Sequence, residues 1–280
     1  MKKIALLIFS ILTFATAQNF DFSWPWEKKI INPSITYTIK NDHFPNAYKI
    51  ILIQGDLLNL DTLIKRGAKT PYTIVNAANK YLYLGSGIAG AIRDVDKSGA
   101  VQKACNSILQ KKGKNLAKPQ KKKAGLFDTP LTFTKYMPTG SAWLTTSGDL
   151  LNKNIQGIIH AVSPNCQLSE EKANFEELLR MTYSNIFATV IQYNTDSSTT
   201  TPIHTVACPS LSTGIFRCKL EKAATVAAET IVAIMANSAS DDDKGSPTIF
   251  VMVTHDDKHF KIYKDAFQAT DFLVQEPSYV

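Results

Sequence analysis

Six short apolar runs, separated by stretches with helical spacing, constrain this chain more than any other feature. They are Tyr48–Gln54, Tyr72–Val75, Ala142–Thr146, Gly157–Val162, Ile203–Ala207 and Thr248–Val253. Each is rich in β-branched residues and continuous rather than alternating. That is the pattern of strands covered on both faces, as in a largely parallel sheet. Ile35–Ile39 is a further run, expected as an edge strand. Between the runs lie apolar stripes of helical period. Leu60, Leu63 and Ile64 form a short one, and Ile88, Ile92, Val95, Val101, Cys105, Ile108 and Leu109 a longer one with Gly99 as a possible break. Phe175–Val190 and Leu220–Ile234 carry two more. His259–Phe272 is expected to be helical, with Ile262, Tyr263, Phe267 and Phe272 inward. Strands alternating with helices predict an α/β layered domain, whose ligands gather at the carboxyl ends of the strands. Three stretches read as loops: Lys111–Lys123, with seven lysines and no acid, the Ser/Thr-rich Thr195–Pro202, and Asn237–Pro247 with its three aspartates.

Gly85-Ser86-Gly87-Ile88-Ala89-Gly90 spells G-x-G-x-x-G. A dinucleotide-binding βαβ unit needs a strand running into the first glycine and an acid at the end of the next strand. Here Asn76-Ala77-Ala78-Asn79 intervenes between the strand and the glycines, and the downstream sequence is helical and then basic. A nicotinamide site is therefore not supported. The glycines still let backbone approach an anion closely, and the following helix would aim its free N–H groups at it.

Four separated segments line up in order: QGDLL (Gln54–Leu58), IVNAANKYLYLGSGIAGAI (Ile74–Ile92), IIHAVSP (Ile158–Pro164) and PSLSTGIF (Pro209–Phe216). Together they resemble the macro domain family, over roughly Tyr48–Phe267. The resemblance implies a three-layer α/β/α sandwich with a mixed, mostly parallel central sheet. It also implies ADP-ribose binding, and commonly hydrolysis of ADP-ribose from a modified acceptor. Asp56, beside Leu57, would accept a hydrogen bond from the adenine amino group or cap the following helix. Asn79 would orient the distal ribose and a water, and Asn76, in the same binding segment, would tie the loop down. Gly85, Ser86, Gly87, Ile88 and Ala89 would wrap one phosphate and the distal ribose. Ser212, Thr213, Gly214 and Ile215 would wrap the diphosphate, with Phe216 against the ribose. Asn79 and Phe216 would carry catalysis, by orientation and electrostatics more than by a strong nucleophile.

The chain departs from the family pattern at three places. Ala89 stands where many hydrolases of the family have Asp, as in G-G-G-V-D-G, and this is like viral-type macro domains. Ser86 replaces the middle glycine, and Arg217 stands where glycine is common; it would add a cation near the phosphates or point to solvent. Three functions follow: a mono-ADP-ribosyl hydrolase or ADP-ribose ester deacylase, a reader that binds without turnover, and a basic polyanion-binding protein with a degenerate pocket.

Met1-Lys2-Lys3, an apolar stretch from Ile4 to Phe14 and Ala15-Thr16-Ala17 read as a signal peptide of residues 1–17, predicting export to the periplasm or outside. Residues 18–45, with Trp24-Pro25-Trp26, read as an extension, and 46–280 as the domain with a basic loop near 111–123. Its partners would be ADP-ribose or an ADP-ribosylated protein. The net charge of +7 favours polyanions, so the loop would attract poly-ADP-ribose or nucleic acid. No membrane partner of the mature form and no cofactor are expected, and the protein is expected to be a monomer. Cys105, Cys166, Cys208 and Cys218 permit three pairings or none. His255 and His259 have H-x-x-x-H spacing without an evident third ligand, so a solvated loop is expected rather than a metal site. By resemblance, His255 or Asp256 would lie near adenine. His160 and His204 are expected to pack beside strands, and no Ser-His-Asp arrangement can be read.

Overall fold

Alternate residues along the apolar runs part to opposite faces of one sheet. Ile50 and Leu52 join one apolar cluster, and Ile51 and Ile53 the other. This is why the runs are continuous: both faces are covered. The computed structural model describes residues 33–40, 48–60, 71–124, 127–240 and 245–276. The leader, the Trp24-Pro25-Trp26 segment, Leu63, Ile64 and the three aspartates at 241–243 lie outside these residues.

Among the described residues the large sheet has eight strands. In chain order they are β1 (Ser34–Ile39), β2 (Lys49–Gln54), β3 (Tyr72–Ala78), β6 (Ala142–Thr146), β7 (Ile155–Val162), β8 (Thr205–Pro209), β9 (Ile249–Thr254) and β10 (Leu273–Gln275). Their order across the sheet is β10-β1-β2-β9-β8-β3-β7-β6. The inner strands from β2 to β7 are parallel, and the outer pairings at both edges are antiparallel. Helices α1 (Ile88–Val95) and α2 (Ala100–Lys112) cover one face; α4 (Phe175–Thr195), α5 (Leu220–Ser240) and α6 (Asp257–Gln268) cover the other. A short α3 (Ser169–Ala173) precedes α4. The three-layer sandwich with a mixed, mostly parallel sheet is the fold expected. No helix among the described residues is long and apolar enough to cross a membrane.

Several expectations need correction. β1 is not the edge strand: β10 pairs outside it, Thr38 opposite Val274. β1 also falls within the residues expected as an extension. The tail helix ends at Gln268 because the chain turns into β10, which leaves Phe272 54% exposed rather than inward. Gly99 does break the long stripe; its φ of 67° starts α2, while Asp96 Oδ2 accepts from Val101 N at 2.8 Å. α5 runs through Ser240, into the segment expected as a loop.

The largest correction concerns the basic loop. Lys114–Ala124 is strand β4, paired antiparallel with β5 (Phe127–Tyr136) as a separate hairpin. Lysine is a poor strand former, so β4 gives no apolar pattern. The signal lies in β5, where Leu131-Thr132-Phe133-Thr134 alternates half-buried with exposed residues. Phe133 stacks on Tyr81 at 4.3 Å and meets Tyr83 edge-on at 6.3 Å. Tyr81 Oη donates to Gln120 Oε1, and Met137 N donates to Lys80 O at 2.7 Å. The hairpin is thus seated on the residues that follow Asn79.

His160 lies wholly inside, as expected of a core residue. Asn76 Nδ2 donates to its Nδ1 at 3.0 Å, so Nε2 carries the proton and donates to Thr145 Oγ1 at 2.9 Å. Cys105 Sγ is 3.4 Å away. Burial holds the imidazole neutral, its pKa pushed down to about 3. In the unfolded chain histidine titrates near 6.5, so between these values the unfolded state binds more protons. The stability this contributes is complete above the unfolded pKa and lost as pH falls from about 6.5 towards about 3. Between pH 7 and 5, wild type is expected to lose about 2 kcal/mol more than His160→Gln. Urea melts of both proteins at the two pH values check this; equal losses would contradict it.

Candidate ligand-binding cleft

The carboxyl ends of β2, β3, β8 and β9 open into one cleft of about 670 Å³. Gly55, Asp56 and Leu57 come from the end of β2, Ala77 and Asn79 from β3, and Val253, Thr254 and His255 from β9. Gly85–Ala89 form one wall at the start of α1. Pro209, Ser210 and Ser212–Phe216 form the opposite wall after β8. Every residue expected to bind or to act lines this cleft except Asn76. Pleating turns Asn76 towards α2, where it is buried against His160; Ala77 and Asn79 face the cleft instead. The Ile158–Pro164 motif does not line the cleft either. It supplies the β7 strand that pairs with β3 and the imidazole that holds Asn76.

The glycine wall is held from behind. Gly87 has a φ of 63° and starts α1, whose first-turn N–H groups have no partner within the helix. A Cβ at Gly90 would come within 2.8 Å of Gly85 O, so only glycine lets the loop lie this close on the helix. Arg93 Nη1 donates to Gly85 O at 2.7 Å and to Leu84 O at 3.2 Å, and Gln102 Oε1 accepts from Leu84 N at 2.8 Å. These two side chains were not legible as site residues. They act on backbone carbonyls and amides that only the fold brings to them.

The opposite wall is fixed by different means. Ser212 and Arg217 both have left-handed backbone, with φ of 65° and 55°. That explains why glycine is at home at the second position; arginine there carries about 1–2 kcal/mol of strain. Its side chain is exposed and does not line the cleft. Cys218 is bonded to Cys166 across 52 residues, which resolves the cysteine pairing, while Cys105 and Cys208 are free and buried. Cys166 N donates to Phe216 O at 2.9 Å, and Gln167 Nε2 to Ile215 O at 2.6 Å. The disulfide therefore anchors the loop that forms this wall. Across the cleft, a Cβ on Gly87 would touch Ile215 Cδ1 at 3.9 Å, so the two walls nearly close over the space between.

The polar groups inside are few. Asp56 accepts from Leu58 N at 3.0 Å and from Asn59 Nδ2 at 2.6 Å, so its carboxylate is fixed by its own turn. Asn79 Nδ2 donates to Tyr83 O at 2.7 Å, and Oδ1 accepts from Tyr81 N at 3.0 Å and more weakly from Tyr83 N at 3.4 Å. An amide has two N–H donors, so one remains for a ligand. Ser212 Oγ is buried without a hydrogen-bond partner among the described residues, although Ser212 lines the cleft. At the β9 end, Asp256 lies between two imidazoles: His255 Nε2 is 2.9 Å from Oδ2, and His259 Nδ1 is 2.9 Å from Oδ1. Backbone donation from His259 N, with the two imidazoles, holds the Asp256 carboxyl below its usual range.

The macro domain family profile matches residues 75–227. A macro domain-containing protein of Streptomyces coelicolor is 30% identical over 182 residues, 65% of this chain and 82% of that protein. An O-acetyl-ADP-ribose deacetylase of Escherichia coli is 26% identical over 216 residues, 77% of this chain and 93% of that protein. Among solved structures, the Oceanobacillus iheyensis macrodomain with MES bound superposes with a TM-score of 0.60 at 22% identity, over 85% of this chain and 96% of that one. The Trypanosoma brucei macrodomain in complex with ADP-ribose gives 0.51 at 17% identity, over 79% and 69%. With this profile match over more than half its length and the same layered fold, the chain belongs to the macro domain family.

Proposed function

We propose that the cleft binds ADP-ribose and that the protein hydrolyses mono-ADP-ribose, or a related ADP-ribose ester, from a modified acceptor. The observation that carries this is the pair of facing walls, one the glycine turn at the N-terminus of α1 and the other the anchored Ser212–Phe216 loop after β8. A diphosphate between them would meet N–H groups from both sides and the favourable end of a helix dipole. Ser212 Oγ, buried and unpaired among the described residues, has a use once such a ligand is present. The deacetylase relatives support the hydrolytic part.

Among the described lining residues the ionisable side chains are Asp56, at the end of β2, and His255, at the end of β9, and neither comes from the β3 end that carries Asn79. The chemistry would therefore rest on orientation: the free Asn79 N–H fixing the ribose, and the α1 terminus stabilising charge. Ala89, buried and apolar, favours a second reading, a module that binds without turnover. Incubation with a mono-ADP-ribosylated protein separates the two. The hydrolase reading expects many equivalents of free ADP-ribose per protein; binding without release would leave the reader.

We also propose that the protein is exported after cleavage behind Ala17. The basic and apolar leader supports this, and so does a disulfide, which persists in oxidising compartments. Exposed Lys111 and Lys112 at the end of α2 and Lys114, Lys118 and Lys121 on the hairpin support binding of a phosphate polymer, poly-ADP-ribose or nucleic acid. Such binding is expected to weaken by about a hundredfold between 50 and 200 mM salt. A filter-binding series over that range checks it, and a flat response would contradict it.

A further inference from the structure

We propose that His255, Asp256 and His259 form a site for a zinc-class divalent cation at the rim of the cleft. In sequence the two histidines lack a third ligand. In the fold the ligand is the residue beside the first of them. Donor atoms of the three side chains all lie within 4.8 Å of one another. Asp256 Oδ2 is 2.9 Å from His255 Nε2 and 3.0 Å from His259 Nδ1. A tetrahedral cation with bonds of about 2.0–2.1 Å spaces its donors about 3.3 Å apart, so the carboxylate edges need only widen slightly and the two imidazole nitrogens, within 4.8 Å of each other, draw together to admit it.

The surroundings favour the cation over a bare hydrogen-bonded turn in two ways. His259 N donates to Asp256 Oδ1 at 2.7 Å, which orients the carboxylate and leaves Oδ2 turned to both imidazoles, the outer-shell support that metal-binding carboxylates use. The two rings lie 4.2 Å apart between centroids with Asp256 against both, so two imidazoles converge on one carboxylate. Two nitrogens and one oxygen select zinc-like ions over magnesium or calcium. The N-terminus of α6 opposes a cation, by roughly three- to thirtyfold in affinity for a double charge at an exposed terminus. Three protein ligands leave a coordination position open. His255 lines the cleft beside Thr254 and Asp56, so a donor from the cleft's occupant would complete the shell.

The test uses untagged full-length protein stripped with a chelator. Zn²⁺ is titrated by calorimetry and Co²⁺ by visible absorption. Wild type is expected to bind one equivalent saturably, with the intense cobalt bands of a tetrahedral site. His255→Ala, at an exposed position, and Asp256→Asn, which keeps an acceptor for His259 N, are each expected to weaken binding by at least about tenfold with circular dichroism unchanged. No saturable binding by wild type, or either variant binding as tightly as wild type, would overturn the proposal. ADP-ribose is absent from the experiment, so its outcome is independent of the function proposed above.

Discussion

Asn79→Ala protein is expected to release ADP-ribose from a modified acceptor at least about a hundredfold more slowly than wild type, while its affinity for ADP-ribose falls by less than about tenfold. The split follows from the hydrogen bonds of the side chain. Oδ1 accepts from Tyr81 N and Tyr83 N, and Nδ2 donates to Tyr83 O, so the amide is locked before any ligand arrives. The donor left over points from a fixed frame, and fixed donors matter most where charge and geometry change along the reaction. Most ground-state binding would come from the two backbone walls, which the substitution does not touch. Alanine also removes the side-chain contacts of the Tyr81–Tyr83 turn, so the rate should be compared at equal ligand saturation. Single-turnover release and calorimetric affinity, measured on the same preparations, give both numbers. Equal losses in rate and affinity would reduce Asn79 to a loop anchor.

Breaking the Cys166–Cys218 bond is expected to lower stability by about 4 kcal/mol, a fall of roughly 10 °C in Tm, and to weaken ADP-ribose binding as well. The bond closes a loop of 52 residues, so its loss returns much chain entropy to the unfolded state. The effect on the ligand has a local cause. Cys218 is the last fixed point of the Ser212–Phe216 wall, and Cys218 N donates to Ser212 O at 3.0 Å across its base. Without the bond the wall must be ordered by the ligand, at the ligand's expense. Differential scanning and calorimetry with and without reductant, and on the Cys166→Ser, Cys218→Ser double variant, check both effects. Cys105 and Cys208 do not confuse the comparison: both are buried, and burial pushes the Cys105 thiol up to about 12. An unchanged melting temperature and affinity would refute the anchoring role.

The parallel sheet was legible because its strands are covered on both faces, so apolar continuity marks them directly. The hairpin was not, because Lys114, Lys118 and Lys121 of β4 stay in water and give no apolar pattern. Its packing is carried by Phe133 on Tyr81, a contact across 52 sequence positions that no local pattern records. β10 is three residues long, too short to show a period. In the cleft, the residues of both walls were legible because their spelling resembles a family. Asn76 was misplaced because spelling does not say which way a strand residue turns. Arg93 and Gln102 went unseen because they grip main-chain atoms. The cysteine pairing was open in the sequence, since connectivity depends on which loops the fold brings together. Asp256 was visible throughout as a neighbour of His255; its place between two rings follows from capping α6.

The most direct test of the account is a calorimetric titration of the full-length protein with ADP-ribose at moderate salt. Saturable binding of one equivalent is predicted, weakened when Gly87 is replaced by valine, because that residue has a φ of 63° and its Cβ would approach Ile215 across the cleft. No saturable heat, or binding that Gly87→Val leaves untouched, would contradict the assignment of the cleft.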